Sequence, residues 1–157
     1  MGAENKPYRL NVGIVLYNNH AQVLMGERND TKGAWQLPQG GVDEHENLIT
    51  AAHRELEEET GIRIKQNPDH SIEDFLYYDF PANIKPALRK YRGQKQKWFW
   101  FNFSGSIPPI EETDGEFKSM RWVPMEELSD SVVEFKRDIY NRVGEECRKL
   151  FQKKGIL

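Results

Sequence analysis

Glu55, Glu58 and Glu59 stand three and four residues apart near the end of the stretch G-G-V-D-E-H-E-N-L-I-T-A-A-H-R-E-L-E-E-E-T-G-I, residues 40–62. On a helix this spacing puts the three carboxylates on one side within about one turn. Like charges so close repel, and no lysine stands on that turn to offset them. A solvated acidic face is the simplest account of glutamates on a helix. A divalent cation is the account under which the crowding is useful. Donors made only of oxygen suit a hard ion, Mg2+ or Mn2+.

The carboxylates need a helix, and local signals predict one over 48–60. Asn47 is a suitable N-cap, Ile49, Ala52 and Leu56 supply an apolar face, and Gly61 ends it in a left-handed turn. Glu57 falls on the other side. Ahead of the helix, Pro38 and the Gly40-Gly41 pair stop a short extended piece at 35–37 and let the backbone turn tightly. Strands are predicted at 11–17, with Val12, Ile14 and Leu16 on one face, and at 22–28, joined as a hairpin by Asn18-Asn19-His20. Further strands are expected near 72–78, 97–103 and 117–123, then a helical turn at 124–128 opening on Pro124. A longer helix is predicted over 132–151, with Phe135, Ile139, Val143 and Cys147 as its core stripe. Strands with few helices suggest a mixed sheet between helices. The irregular stretch 79–94 is long for a compact domain and reads as functional.

At 157 residues the chain suits one domain, expected over 8–151 between a loose tail at 1–7 and another at 152–157. One cysteine, Cys147, excludes a disulfide framework and a cysteine zinc site. The start of the chain has no apolar leader and no run is apolar enough for a membrane span, so a reducing cytoplasm is the expected setting. A net charge of −3 gives no global sign of nucleic acid. Locally, however, 79–97 holds Lys85, Arg89, Lys90, Arg92, Lys95 and Lys97 against Asp79 alone. Such a segment suits a polyphosphate or an RNA 5′ end held electrostatically.

The pattern G-x5-E-x7-R-E-U-x-E-E-x-G-U, with U apolar, is met from Gly40 through Glu46 and Arg54 to Ile62. It resembles the Nudix box. The resemblance implies an α/β fold, an α/β/α sandwich with a mixed sheet and the box as loop–helix–loop. It also implies cleavage of a nucleoside diphosphate linked to another group, with Mg2+ or Mn2+ and more than one ion. Glu55, Glu58 and Glu59 would be metal ligands, with Glu58 or Glu59 as general base. Arg54 would orient a neighbouring glutamate such as Glu46. Gly40 and Gly41 would bring a backbone carbonyl to a metal. Glu116, ahead of a predicted strand, would add a further ligand or base.

Five separated motifs narrow the resemblance: Y-R-L-N-V-G-I from Tyr8, W-Q-L-P-Q-G-G from Trp35, G-Q-K-Q-K-W-F from Gly93, E-F with R-W-V from Glu116, and V-E-F-K-R-D-I-Y from Val133. Together they are similar to bacterial RNA 5′-pyrophosphohydrolases and to asymmetric diadenosine tetraphosphate hydrolases. This implies Arg28 and Phe135 stacking on a base, Arg9, Lys136 and Arg137 at phosphates, and Lys95 and Lys97 on the nucleotide. The expected reaction converts a 5′-triphosphate or diphosphate RNA end to a monophosphate and starts RNA decay. The alternatives are a dinucleoside polyphosphate hydrolase and a non-catalytic nucleotide- or RNA-binding domain, which would have no use for three crowded carboxylates. Neither DNA nor a membrane is an expected partner. Thr113-Asp114-Gly115 stands where relatives carry proline before the glutamate, which leaves the approach of Glu116 open.

Overall fold

The computed structural model describes residues 5–157. In chain order they form β1 (Tyr8–Tyr17), β2 (Gln22–Arg28), β3 (Trp35–Gln36), β4 (Gln39–Gly41), α1 (Leu48–Thr60), β5 (His70–Ser71), β6 (Leu76–Asp79), β7 (Gly93–Asn102), β8 (Phe117–Pro124) and α2 (Arg137–Lys154), with short 3-10 turns between some of them.

Alternation along the central strands decides the layering. In β1, Val12, Ile14 and Leu16 face one side of the sheet, and Val15 and Tyr17 the other. In β7, Phe99 and Phe101 share the first side, Trp98 and Trp100 the second. Strands apolar on both faces belong in the middle of a covered sheet. These two pair in parallel along their length, from Tyr8 opposite Gly93 to Tyr17 opposite Asn102. Ala51, Ala52 and Leu56 of α1 cover the first face, and Ile139, Val143, Cys147 and Phe151 of α2 cover the second. The result is an α/β sandwich about a mixed sheet of order β3-β2-β1-β7-β5, with β4 on β1, β6 on β7 and β8 on β2. Each fully buried large apolar side chain contributes roughly 1.5–3 kcal/mol, against about 0–1 for an exposed ion pair, so the two cores hold the layers together.

Five expectations change in detail. β1 and β2 meet only at Tyr17 opposite Val23, because β4 takes the rest of that edge from Asn11 opposite Gly41 to Gly13 opposite Gln39. β2 turns away to pair with β8 along its length. The strand expected at 72–78 is split into β5 and β6; between them the Glu73 carbonyl accepts from Lys97 Nζ (2.5 Å). The last helix starts later, at Arg137, after a 3-10 turn over Glu134–Lys136, so Phe135 leaves its core stripe while Ile139, Val143 and Cys147 keep it. That helix also runs on to Lys154, and Ile156 packs against the core, so most of 152–157 is structured. Residues 1–4 of the expected tail lie outside the described residues; Pro7 already accepts from Arg92 N (2.8 Å) and Lys6 Nζ donates to the Arg89 carbonyl (2.7 Å).

Candidate active site

α1 begins and ends at the predicted residues. Asn47 Oδ1 accepts from the backbone of Ile49 (2.8 Å) and Thr50 (3.3 Å), and Gly61, at φ 78°, donates to the Glu57 carbonyl (2.8 Å). Anchoring Ala51, Ala52 and Leu56 in the core turns Glu55 and Glu59 inward, while the Glu58 side chain stays 46% exposed. The relief absent from the lysines comes from Arg54. Its Nη1 donates to Glu55 Oε1 (2.8 Å) and leans on Glu58 (3.3 Å), and its Nε and Nη2 grip both oxygens of Glu46 at 2.9 Å. Arg54 Nη2 also donates to the Gly41 carbonyl (2.8 Å).

Gly40 and Gly41 pack the loop against this cluster. A Cβ at Gly40 would lie 1.9 Å from the Glu55 carboxyl carbon, and one at Gly41 would lie 2.1 Å from Arg9 Nη2. A side chain at either place would have to displace the end of Glu55 or of Arg9. The loop therefore brings a carboxylate and a guanidinium to its two glycines.

Burial shapes the acid set. Glu55, desolvated and only partly answered by Arg54, is pushed up to about 7. Glu59 is pushed well above the ordinary carboxylate range by burial, with Glu55, Asp114 and Glu116 adding repulsion. Glu46 moves the other way under Arg54. Among the described residues no three His, Cys, Asp or Glu side chains close on one point as a finished cation cage would. Glu59 Oε2 is nevertheless buried with no hydrogen-bond partner. A buried carboxylate oxygen without a donor or cation is costly. With Glu55, Glu58 and Glu116 lining the same cavity, the donors are all oxygen and fit a hard divalent ion.

The cavity, about 420 Å³, is lined by bases as well as acids. Arg9, Arg28, Lys85 and Lys136 line it, with Phe135 and Tyr78 between them. Lys136 is 5% exposed, donates to Gln36 Oε1 (3.1 Å), and burial with Arg28 nearby pulls it down to about 7. Phe135 packs against Tyr78 with ring centroids 5.7 Å apart. Asp30 accepts from Arg28 (2.8 Å) and Lys85 (3.1 Å), which ties the long loop to the end of β2 at the rim.

Three expected residues stand elsewhere. Lys95 and Lys97 lie on the opposite face of β7, over the Phe75 ring at 4.5 and 5.9 Å. The cavity side of that strand belongs to Gln94, which lines it, and Gln96, whose Nε2 donates to Asn11 (2.9 Å) and to Gln39 (2.8 Å). Arg137 is also outside the cavity lining, paired with Glu134 (3.1 Å). Sequence reasoning missed Asn11, Gln39, Gln94, Tyr78 and Asp114 as lining residues. The available signal was polar residues at alternate positions of otherwise apolar strands.

The acids on one helix, the glycine loop that carries them and the sheet behind them match one profile, that of the NUDIX domain, over residues 7–143. The chain belongs to the NUDIX domain family. As a Nudix pyrophosphohydrolase it acts on phosphoric anhydride bonds. It is 41% identical over 166 residues to the RNA pyrophosphohydrolase of Bartonella quintana (strain Toulouse), covering 95% of both chains. Its fold is similar to that of the MutT protein of Methanosarcina mazei Go1, with a TM-score of 0.66 at 23% identity over 90% of this chain and 96% of that one. It is also similar to a bifunctional NMN adenylyltransferase/ADP ribose pyrophosphatase from Francisella tularensis solved with AMP and a Mn ion (TM-score 0.59, 25% identity, 90% of this chain and 42% of that one). NUDIX enzymes generally use divalent metals. Among the described residues of this NUDIX domain, no helix is long and apolar enough to cross a membrane.

Proposed function

We propose that this NUDIX domain hydrolyses the 5′-terminal triphosphate or diphosphate of RNA to a 5′-monophosphate, with Mg2+ or Mn2+ and more than one ion, in the cytoplasm, and so starts RNA decay. The observation that carries the reading is one cavity lined by both acids and bases. Glu55, Glu58, Glu59 and Glu116 line it together with Arg9, Arg28, Lys85 and Lys136. A polyanion cannot approach the acids alone, but it can lie along the bases with its terminal phosphates turned to the acids. The likeness to an RNA pyrophosphohydrolase over 95% of both chains supports the same substrate.

Glu55, Glu58, Glu59 and Glu116 would hold the cations. When bound, divalent ions neutralise phosphate oxygens, lower the pKa of an attacking water and stabilise the leaving phosphate. Arg54 fixes Glu46, Glu55 and Glu58 in one network, so the acid cluster keeps its shape. Glu58 or Glu59 takes the proton from water as its oxygen attacks phosphorus and the anhydride P–O bond breaks. Lys136 and Arg9 hold phosphate oxygens, and Arg28 and Phe135 present a guanidinium and a ring to the first bases.

The test is release of terminal label from 5′-triphosphorylated RNA with Mg2+, beside diadenosine tetraphosphate at matched concentration. The expected result is faster turnover of RNA and loss of at least about 100-fold in Glu58→Ala, with the fold retained because Glu58 is half exposed. No label release beside rapid diadenosine tetraphosphate hydrolysis would reject the RNA reading. Tight RNA binding that survives chelation, without turnover, would point to a binding domain instead.

A further inference from the structure

Glu116 sits on an exposed turn between two elements it does not belong to. Such a turn holds a reacting group in place only if something fixes it. In this chain the residues ahead of it are Thr113, Asp114 and Gly115, and each is tied. Asp114 N donates to the Glu58 carbonyl on α1 (2.8 Å). Asp114 Oδ1 accepts from Glu116 N (3.0 Å). On the far side Asn29, just past β2, donates through Nδ2 to the Gly115 carbonyl and through its backbone to the Glu116 carbonyl, both at 2.9 Å. Gly115, at φ 87°, makes the bend.

We infer that Asp114 is a positioning residue for Glu116, its carboxylate closing the turn that aims Glu116 into the cavity from a fixed point on α1. Proline in a turn presets φ through its ring. Here an aspartate reaches the same end by accepting its neighbour's N–H two residues on, the side-chain substitute for a backbone turn. The device also links Glu116 to Glu58 through one residue, so the exposed acid inherits the register of the helix that carries the others. Asp114 lines the cavity, yet its Oδ1 is already engaged by the turn, which assigns it to support rather than to the reacting phosphate.

The inference rests on Glu116 taking part in the reaction proposed above. Asp114→Ala removes the acceptor and leaves the backbone bond to Glu58. Asp114→Asn keeps an oxygen at the same place and removes the charge. Two measurements are made on each: turnover of 5′-triphosphorylated RNA with Mg2+, and Mn2+ affinity by electron paramagnetic resonance without RNA. For Asp114→Ala the expected result is a kcat reduced about 10- to 100-fold with KM little changed, and weaker Mn2+ binding. Asp114→Asn should restore most of both. In a Glu116→Gln background, Asp114→Ala should cost little more, because it acts through the group already altered. Equal damage from Asp114→Asn and Asp114→Ala would overturn the proposal, as would a full additional loss in the Glu116→Gln background. Wild-type Mn2+ affinity and turnover in Glu116→Gln would overturn it by removing its premise. Failure of the RNA reading is told apart, since it shows as absent label release from the unmodified protein.

Discussion

Among single residues, Lys136 has the most to gain from a ligand. Burial pulls its ammonium down to about 7 from an ordinary 10.5; Arg28 and Lys85 push the same way, and Glu59 and Asp30 oppose. A lowered folded value means the unfolded chain holds a proton that the folded protein releases. Stability from this group therefore rises with pH between about 7 and 10.5, and stays at its low level below 7. Denaturant midpoints taken from pH 7 to 9.5 should rise in the unmodified protein by more than in Lys136→Met, the difference in slope corresponding to about one proton at most. Equal slopes would remove Lys136 as the titrating group. The box acids were legible because chemistry of that kind needs fixed types at fixed spacing. Lys136 was legible as a cation but not as a buried one, since nothing in F-K-R-D states that the helix behind it begins one residue later. On β7 the charged alternative, Lys95 and Lys97, reads as the binding face, whereas on the opposite face Gln94 lines the cavity and Gln96 bonds Asn11 and Gln39.

Among the elements, α1 carries its acids at the end where they are least welcome. The helix dipole presents its negative pole at the C-terminus, and no basic residue stands in the last turn. Stability of α1 thus depends on its other end and on its apolar face. Asn47→Ala should cost about 1 kcal/mol in denaturant unfolding, because two backbone donors lose their acceptor. Turnover at saturating metal should change little, since the cap lies at the other end of α1 from Glu55, Glu58 and Glu59; an unchanged unfolding midpoint would show the cap to be replaced by water. Both ends of α1 were readable because caps are local. The partners of β1 were not. The Asn18-Asn19-His20 turn does return the chain, but whether β2 stays beside β1 depends on β4 and on β8, the latter distant in sequence.

For the molecule as a whole, a net charge of −3 conceals a cavity with Arg9, Arg28, Lys85 and Lys136 in its lining. Binding of an RNA 5′ end should weaken with salt even though the protein is an anion. If about three phosphates are engaged, log(kcat/KM) should fall against log[KCl] with a slope of about −2, and Arg28→Ala should flatten it. A slope near zero would show that the bases do not carry the association. The layered plan was legible from alternation and from the box, while the cavity was not, because its walls come from both ends of the chain. β1 and β7 lie side by side although Asn11 and Gln96, bonded across them, are 85 residues apart. Contacts so distant must wait for the intervening chain to exist, and they close slowly. As the protein is synthesised, the box helix is complete well before β7 emerges to join β1. A nascent chain thus carries Arg9, Arg28 and the box acids before Lys85, Glu116 and Lys136 exist to complete the cavity around them.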